Sequence, residues 1–281
     1  MKRLFLLLLL AWATSAAAQA VPDAAVQSIH VLEKRPFTEA GRWELSLFGN
    51  AQVNPKFTVH AGFSGELAYH LRENFALQLG VSWFPISRES SLSEELITKA
   101  SEAPETAEAL LLQGSALLGL ELMPIYGKLN VFDGKILRLG VYVNAGLGAA
   151  KTRLQLRPSG DAITGRSFGD TGFRPMGSLG IGLRAFVSER FTVRIELRDL
   201  VYSGFVSRVN GCNHDDALKI AAAENAKTTA TGLSGGCDES AFGGSSQIAS
   251  ANASAAADLL RTPSAEVINN LAFQGGVSWL F

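Results

Sequence analysis

Cys212-Asn213-His214-Asp215-Asp216 and Cys237-Asp238-Glu239 bring thiols, an imidazole and carboxylates into one stretch of chain. A zinc site wants four closely paired ligands, and calcium wants oxygen ligands at regular spacing. Neither pattern is met, so no metal or cofactor is expected. An oxidising compartment, to which the first twenty residues point, instead favours a single disulfide between Cys212 and Cys237. By the chain-entropy estimate it stabilises by about 3–4 kcal/mol. The chain has four histidines: His30, His60, His70 and His214. Neither H-E-x-x-H nor G-x-S-x-G occurs. His60 near Ser64 is the closest approach to a base and a nucleophile, as a lipid-acting barrel enzyme would need. A solvated histidine at a loop edge is the simpler reading, and no catalytic residue is assigned.

The remaining chemistry lies in charge. Arg42, Arg138, Arg184, Arg194 and Arg198, with Glu44, Glu66, Glu121 and Glu196, all fall on the polar side of alternating segments. Gathered in one interior, these side chains would cross-pair, because buried charges need partners. The alternative is a narrow polar pore whose charges select ions. The formal net charge is −1 and only 18% of residues are charged, so there is no electrostatic footprint for nucleic acid.

What must position these groups is a set of strands. In Phe191–Asp199, Phe191, Val193, Ile195 and Leu197 alternate with Thr192, Arg194, Glu196 and Arg198. A helix would spread those charges around its circumference, so the period of two decides for a strand. The segments Ala61–Tyr69, Phe75–Trp83, Leu137–Gly148, Ser178–Val187 and Leu271–Phe281 alternate in the same way. Trp43–Gly49 and Ala116–Tyr126 are weaker, which makes eight. Glycines crowd the polar face (Gly140, Gly146, Gly148, Gly180, Gly182), as a tight lumen requires. Aromatics sit near strand ends (Trp43, Tyr69, Trp83, Tyr126, Trp279, Phe281), as an interfacial girdle requires.

The connections alternate long and short. Those near Leu71–Asn74, Gly127–Ile136 and Ser188–Arg190 are short. Those at about 50–60, 85–114, 150–172 and 204–266 are long. Outer-membrane barrels have short periplasmic turns, long external loops and an even strand number. A soluble sandwich has no reason to keep that parity. Alternation alone also fits a lipocalin-like barrel or a periplasmic sandwich, against which the small residues of the polar face and the aromatics at strand ends count. In the loop at 89–112, Ser91 or Ser93 can cap a short helix ahead of Pro104.

The first residues fit export. Lys2 and Arg3 precede an apolar run, Leu4–Trp12, too short to span a bilayer, followed by the small-residue patterns Ala16-Ala17-Ala18 and Ala18-Gln19-Ala20. Residues 1–20 read as a cleaved signal peptide, 21–41 as a periplasmic segment and 42–281 as the barrel. The expected fold is all-β: a transmembrane antiparallel up-and-down barrel of eight strands with long external loops.

Two resemblances follow. The last strand, with Phe273, Val277, Trp279 and terminal Phe281 on one face, resembles the C-terminal signal read by barrel-assembly machinery. The segments Lys34-Arg35-Pro36-Phe37 to Gly41-Arg42-Trp43-Glu44-Leu45 and Tyr69–Leu77 are similar to an outer-membrane β-barrel domain family found mainly in myxobacteria and their relatives. That resemblance covers most of residues 28–281 and implies fold and location, but no activity.

The expectation is therefore a bacterial outer-membrane scaffold for surface loops, in contact with lipid, barrel-assembly machinery and an extracellular or envelope partner. Its role would be interaction, adhesion or envelope structure. A small porin-like pore for ions or solutes is the alternative, and a lipid-modifying barrel the remote one.

Overall fold

The computed structural model describes residues 38–96, 110–131, 135–157, 165–261 and 266–281. The signal segment and nearly all of the stretch before the barrel lie outside the described residues. Eight antiparallel strands follow one another in chain order: β1 Trp43–Gln52, β2 Thr58–Arg72, β3 Phe75–Glu89, β4 Leu110–Val131, β5 Lys135–Arg157, β6 Ser167–Phe186, β7 Phe191–Ser203 and β8 Val267–Leu280. Each pairs with its sequence neighbour, and β8 returns to β1, with Glu44 opposite Leu280 and Ala51 opposite Phe273. Closure removes every sheet edge, and it lets a sheet cross a bilayer without unpaired backbone groups.

The alternation read from sequence sets the two faces in all eight strands, up to Leu122 in β4. On β7, Val193, Ile195 and Leu197 point outward and are 43–44% exposed, while Thr192, Arg194, Glu196 and Arg198 are buried. This is a barrel turned inside out, with an apolar wall outside and a polar interior. Water would not tolerate such a wall, whereas lipid requires it. Aromatics ring the wall at both ends. At the end carrying the short turns, the rings of Trp43 and Tyr69 lie 4.9 Å apart, those of Phe191 and Trp279 6.3 Å, and those of Trp279 and Phe281 5.7 Å. Toward the loop end, Phe63 and Trp83 are each 63% exposed.

Tyr126 departs from the expected girdle. The β4–β5 register shifts between Leu122 and Ile125, and Tyr126 packs inward against Phe186, with ring centroids 5.9 Å apart. Pro124, which cannot donate to a ladder, sits in that bulge.

Several connections are shorter than their sequence boundaries. β3 runs to Glu89 and β4 begins at Leu110, trimming the 85–114 loop. β5 and β6 continue to Arg157 and from Ser167, so the 150–172 loop shrinks to 158–166. The Gly127–Ile136 connection is largely strand, because β4 ends at Val131 and β5 starts at Lys135. Apolar alternation is imposed only where lipid faces the wall, about ten residues per strand. Beyond that height the backbone ladder continues without it.

Candidate functional site

The interior begins as a problem in room. Tyr142, Asn144 and Glu196 need space, and β6 supplies it with glycines. A Cβ on Gly180 would lie about 2.5 Å from Asn144 Oδ1 and 2.6 Å from Glu196 Oε1. One on Gly182 would strike the Tyr142 ring and come within 2.7 Å of the Ile195 carbonyl.

Into that space converge seven of the nine charges expected there: Arg184, Arg194, Arg198, Glu44, Glu66, Glu121 and Glu196, all buried. Arg184 Nη2 lies 2.6 Å from Glu121 Oε1 and 3.1 Å from Glu44 Oε2. Arg194 spans Glu44, at 3.3 Å, and Glu121, and its guanidinium stands 4.4 Å from the centroid of the Tyr142 ring. Arg198 bridges Glu66 and Glu196. Neutral groups complete the shell. Gln78 donates to Glu121 at 2.6 Å, Tyr142 donates to Glu196 at 2.9 Å, and Arg194 donates to Ser46 at 3.2 Å.

Apart from Arg198–Glu196, which lies along β7, the ion pairs cross the lumen. Glu44 stands on β1, Glu66 on β2, Glu121 on β4, Arg184 on β6, and Arg194 and Arg198 on β7. The interior is thus tied across its diameter, as an eight-stranded barrel just wide enough for its own side chains permits. A void beside Glu66, Gln78, Asn144 and Arg198 measures only about 10 Å³, room for about one water.

Two expected members stand apart. Arg42 precedes β1 and Arg138 lies near the first residues of β5; both are half-buried at the turn end, and neither forms an ion pair with a lumen carboxylate among the described residues. Two others join unannounced. Glu39 folds in before β1, with Oε2 3.3 Å from Arg184 Nη1. His70, beside the short Leu71–Asn74 connection, is buried, with Nε2 2.7 Å from Glu44 Oε2. The assembled set is therefore three arginines and five glutamates beside His70, rather than five arginines against four glutamates. Glu39 precedes β1, outside any alternating segment, and His70 continues the inward face of β2 one step past the Ala61–Tyr69 segment, so a reading confined to that segment misses both.

The loop end is closed by a second, apolar packing. The 204–266 connection is not an open loop. It folds into helix α2 His214–Asn225, a 3-10 turn Glu239–Phe242 and helix α3 Ser246–Leu260; α1 is the short helix Ser91–Glu95 after β3. Phe242, Ala249, Ala253, Ala256, Ala257 and Leu260 from this cap form one buried cluster with Ile220 of α2 and with Phe84, Leu112, Leu154, Met176 and Leu200 from the barrel's inner face. Leu110 and Leu112 belong to that cluster and Leu111 is buried as well, which breaks strand alternation at the start of β4.

The residues weighed as a metal site build the cap instead. Cys212 and Cys237 are joined in a disulfide, and Cys212 is fully buried rather than part of an exposed loop. Asn213 caps α2 by accepting from Asp216 N at 2.9 Å, and Asp216 accepts in return from Asn213 N at 3.2 Å, a capping box. Asp216 also accepts from Ser234 N at 2.9 Å. His214 Nδ1 donates to the Ala257 carbonyl at 2.9 Å, tying α2 to α3. In α1 the capping residue is Ser90, one before the expected Ser91 or Ser93; its Oγ accepts from Ser93 N and donates to the Lys56 carbonyl.

His60 is buried, not solvated. Its Nε2 accepts from Leu112 N at 2.9 Å, so Nδ1 carries the proton and donates to Gln52 Oε1 at 2.9 Å. Both ring nitrogens are thus engaged. Ser64 faces the interior and bonds Ser82 and Asn50. The pair forms no base–nucleophile contact and does not face lipid.

Phe273, Val277, Trp279 and Phe281 share the outer face, each 45–57% exposed.

The fold and its interior define a closed, inside-out β-barrel with a charge-tied lumen, the architecture of outer-membrane proteins. Among solved structures the chain is similar to the N-terminal barrel domain of OprF from Pseudomonas aeruginosa, at 12% identity over 86% of this chain and 98% of that one, with a TM-score of 0.39. It is also similar to Neisserial surface protein A, at 11% identity over 86% and 98% of the chains, TM-score 0.38, and to Ail of Yersinia pestis, at 10% identity over 86% and 99%, TM-score 0.35. No protein-family model and no curated protein matches the chain.

Proposed function

We propose that this chain is an outer-membrane barrel whose sealed interior serves as a rigid mount for the helical cap, and that the cap and neighbouring connections form an interaction surface at the cell exterior. The observation that carries this reading is the double closure: ion pairs across the lumen, and an apolar cluster between cap and wall. A conducting pore needs a continuous wet path, and neither layer supplies one.

The orientation is supported by the short turns and both described chain ends at one end, with the cap at the other, as in periplasm-entered barrels. Export by a cleaved signal, recognition of Phe273, Val277, Trp279 and Phe281 by assembly machinery, and kinship with the myxobacterial barrel-domain family belong to the same proposal.

An epitope inserted at Gly232, in the exposed stretch after α2, tests the orientation. Antibody should label intact cells. Labelling only after permeabilisation would overturn the placement of the cap.

A further inference from the structure

Where the β1–β2 connection meets the loop ends of β7 and β8, a cavity of about 160 Å³ reaches the surface. Its rim carries the exposed Asn54, Lys56 and Glu266, and its floor carries His60, Tyr202 and Asn270, each only 2% exposed. The floor is polar. The Tyr202 hydroxyl and both amide atoms of Asn270 have no hydrogen-bond partner among the described residues. Folded proteins pair nearly all such buried groups, and exceptions call for an explanation.

The chemistry of those groups specifies what would pair them. Asn270 offers two N–H donors and a carbonyl acceptor, and Tyr202 a hydroxyl that does both. Ile268 pairs with Tyr202 and Asn270 pairs with Leu200, which makes Tyr202 and Asn270 diagonal neighbours on the inner face, ~7–8 Å apart in such ladders. A ligand bridging them needs adjacent groups that both donate and accept, as vicinal hydroxyls do. The half-buried Phe57 and Ile268 supply apolar wall for a ring's C–H face. A cavity of roughly 150 Å³ holds a six-membered ring. The floor has no net charge, since His60 is fixed as neutral by its two bonds, and the rim carries one charge of each sign.

We infer that this cavity binds a single neutral pyranose ring, presented free or as the terminal unit of a surface glycan. The glycan source rests on the exterior placement of this end; the binding itself does not. The test uses the full-length barrel refolded in lauryldimethylamine oxide, a detergent without sugar. Saturation-transfer NMR is read with glucose, galactose, mannose, N-acetylglucosamine and glucuronate, and with a lipopolysaccharide core oligosaccharide. At least one neutral sugar or the oligosaccharide should give saturable transfer, and which of the two does so identifies the source. Asn270→Leu and Tyr202→Phe should each weaken it by about tenfold or more while the variants still show the heat-shifted gel band of a folded barrel. No transfer from any probe, transfer unchanged in both folded variants, or preference for glucuronate would overturn the inference. Because the assay uses purified protein, its failure would leave the orientation untouched.

Discussion

The guanidinium of Arg194 on β7 meets the carboxylate of Glu121 on β4, three strands away around the ring, with both side chains buried. A pair along the wall would merely staple neighbours. This one spans the lumen, and Arg184 and Arg198 repeat the arrangement toward Glu44 and Glu66.

Removing one partner of such a pair strands the other. Arg194→Met leaves Glu44 and Glu121 each short of a cation and should destabilise the refolded barrel by about 3–5 kcal/mol, read from its urea midpoint in micelles. Adding Glu121→Gln should recover part of that loss. A single variant as stable as the parent would show that the pair contributes nothing.

Gly182 is required by Tyr142. Gly182→Ala places a methyl against the Tyr142 ring and the Ile195 carbonyl oxygen and should cost about 1–3 kcal/mol in the same urea titration. The outward-facing Gly65, whose Cβ would meet only a Leu47 methyl at 3.7 Å, should accept alanine with little change. Equal effects at the two positions would remove the packing argument.

The disulfide and the apolar cluster both hold the cap. Reduction of Cys212–Cys237 should expose the stretch between α2 and the 3-10 turn to protease, because the chain-entropy constraint of about 3–4 kcal/mol is released. Phe242, Ala253 and Ala256 should keep α3 docked, and the barrel band should persist. Identical digestion with and without reductant would contradict this.

Asp216 makes the cap sensitive to acid. Burial alone would raise its carboxyl, but hydrogen bonds from the Ser234 and Asn213 backbone outweigh that and hold it below its usual value of 3.8. A carboxylate with a depressed folded-state value stabilises fully above the unfolded value and loses that contribution as pH falls through the folded one. Cap proteolysis should therefore be flat with pH down to the ordinary carboxylate range and rise only below it. Asp216→Asn should remove the acid limb. A rise already near neutral pH would point to another group.

Much of this was legible in the sequence because lipid enforces a strict rule. Arg194, Glu196 and Arg198 could face only inward once Val193, Ile195 and Leu197 faced out, and that parity located seven interior charges. Elsewhere the rule lapses. His70 keeps the inward phase of β2 but lies one residue past the Ala61–Tyr69 segment, beside the short turn, so its pairing with Glu44 fell outside the segment read. Tyr126 inverts at a bulge that Pro124 alone hinted at. The cap was hidden for a different reason. Ala249, Ala253, Ala256, Ala257 and Leu260 recur at helical spacing, but alanine carries so little apolar weight that the stretch reads as low-complexity loop. The Asn213–Asp216 capping box was the readable clue.

The central claim is that the lumen is sealed, and single-channel recording of the refolded protein in a planar bilayer tests it most directly. With folding verified by the heat-shifted gel band, the membrane should stay silent, both for the intact chain and after reduction of Cys212–Cys237, because the cross-lumen pairs lie beneath the cap. Stable, reproducible current steps from the intact protein would contradict the account and make transport its function.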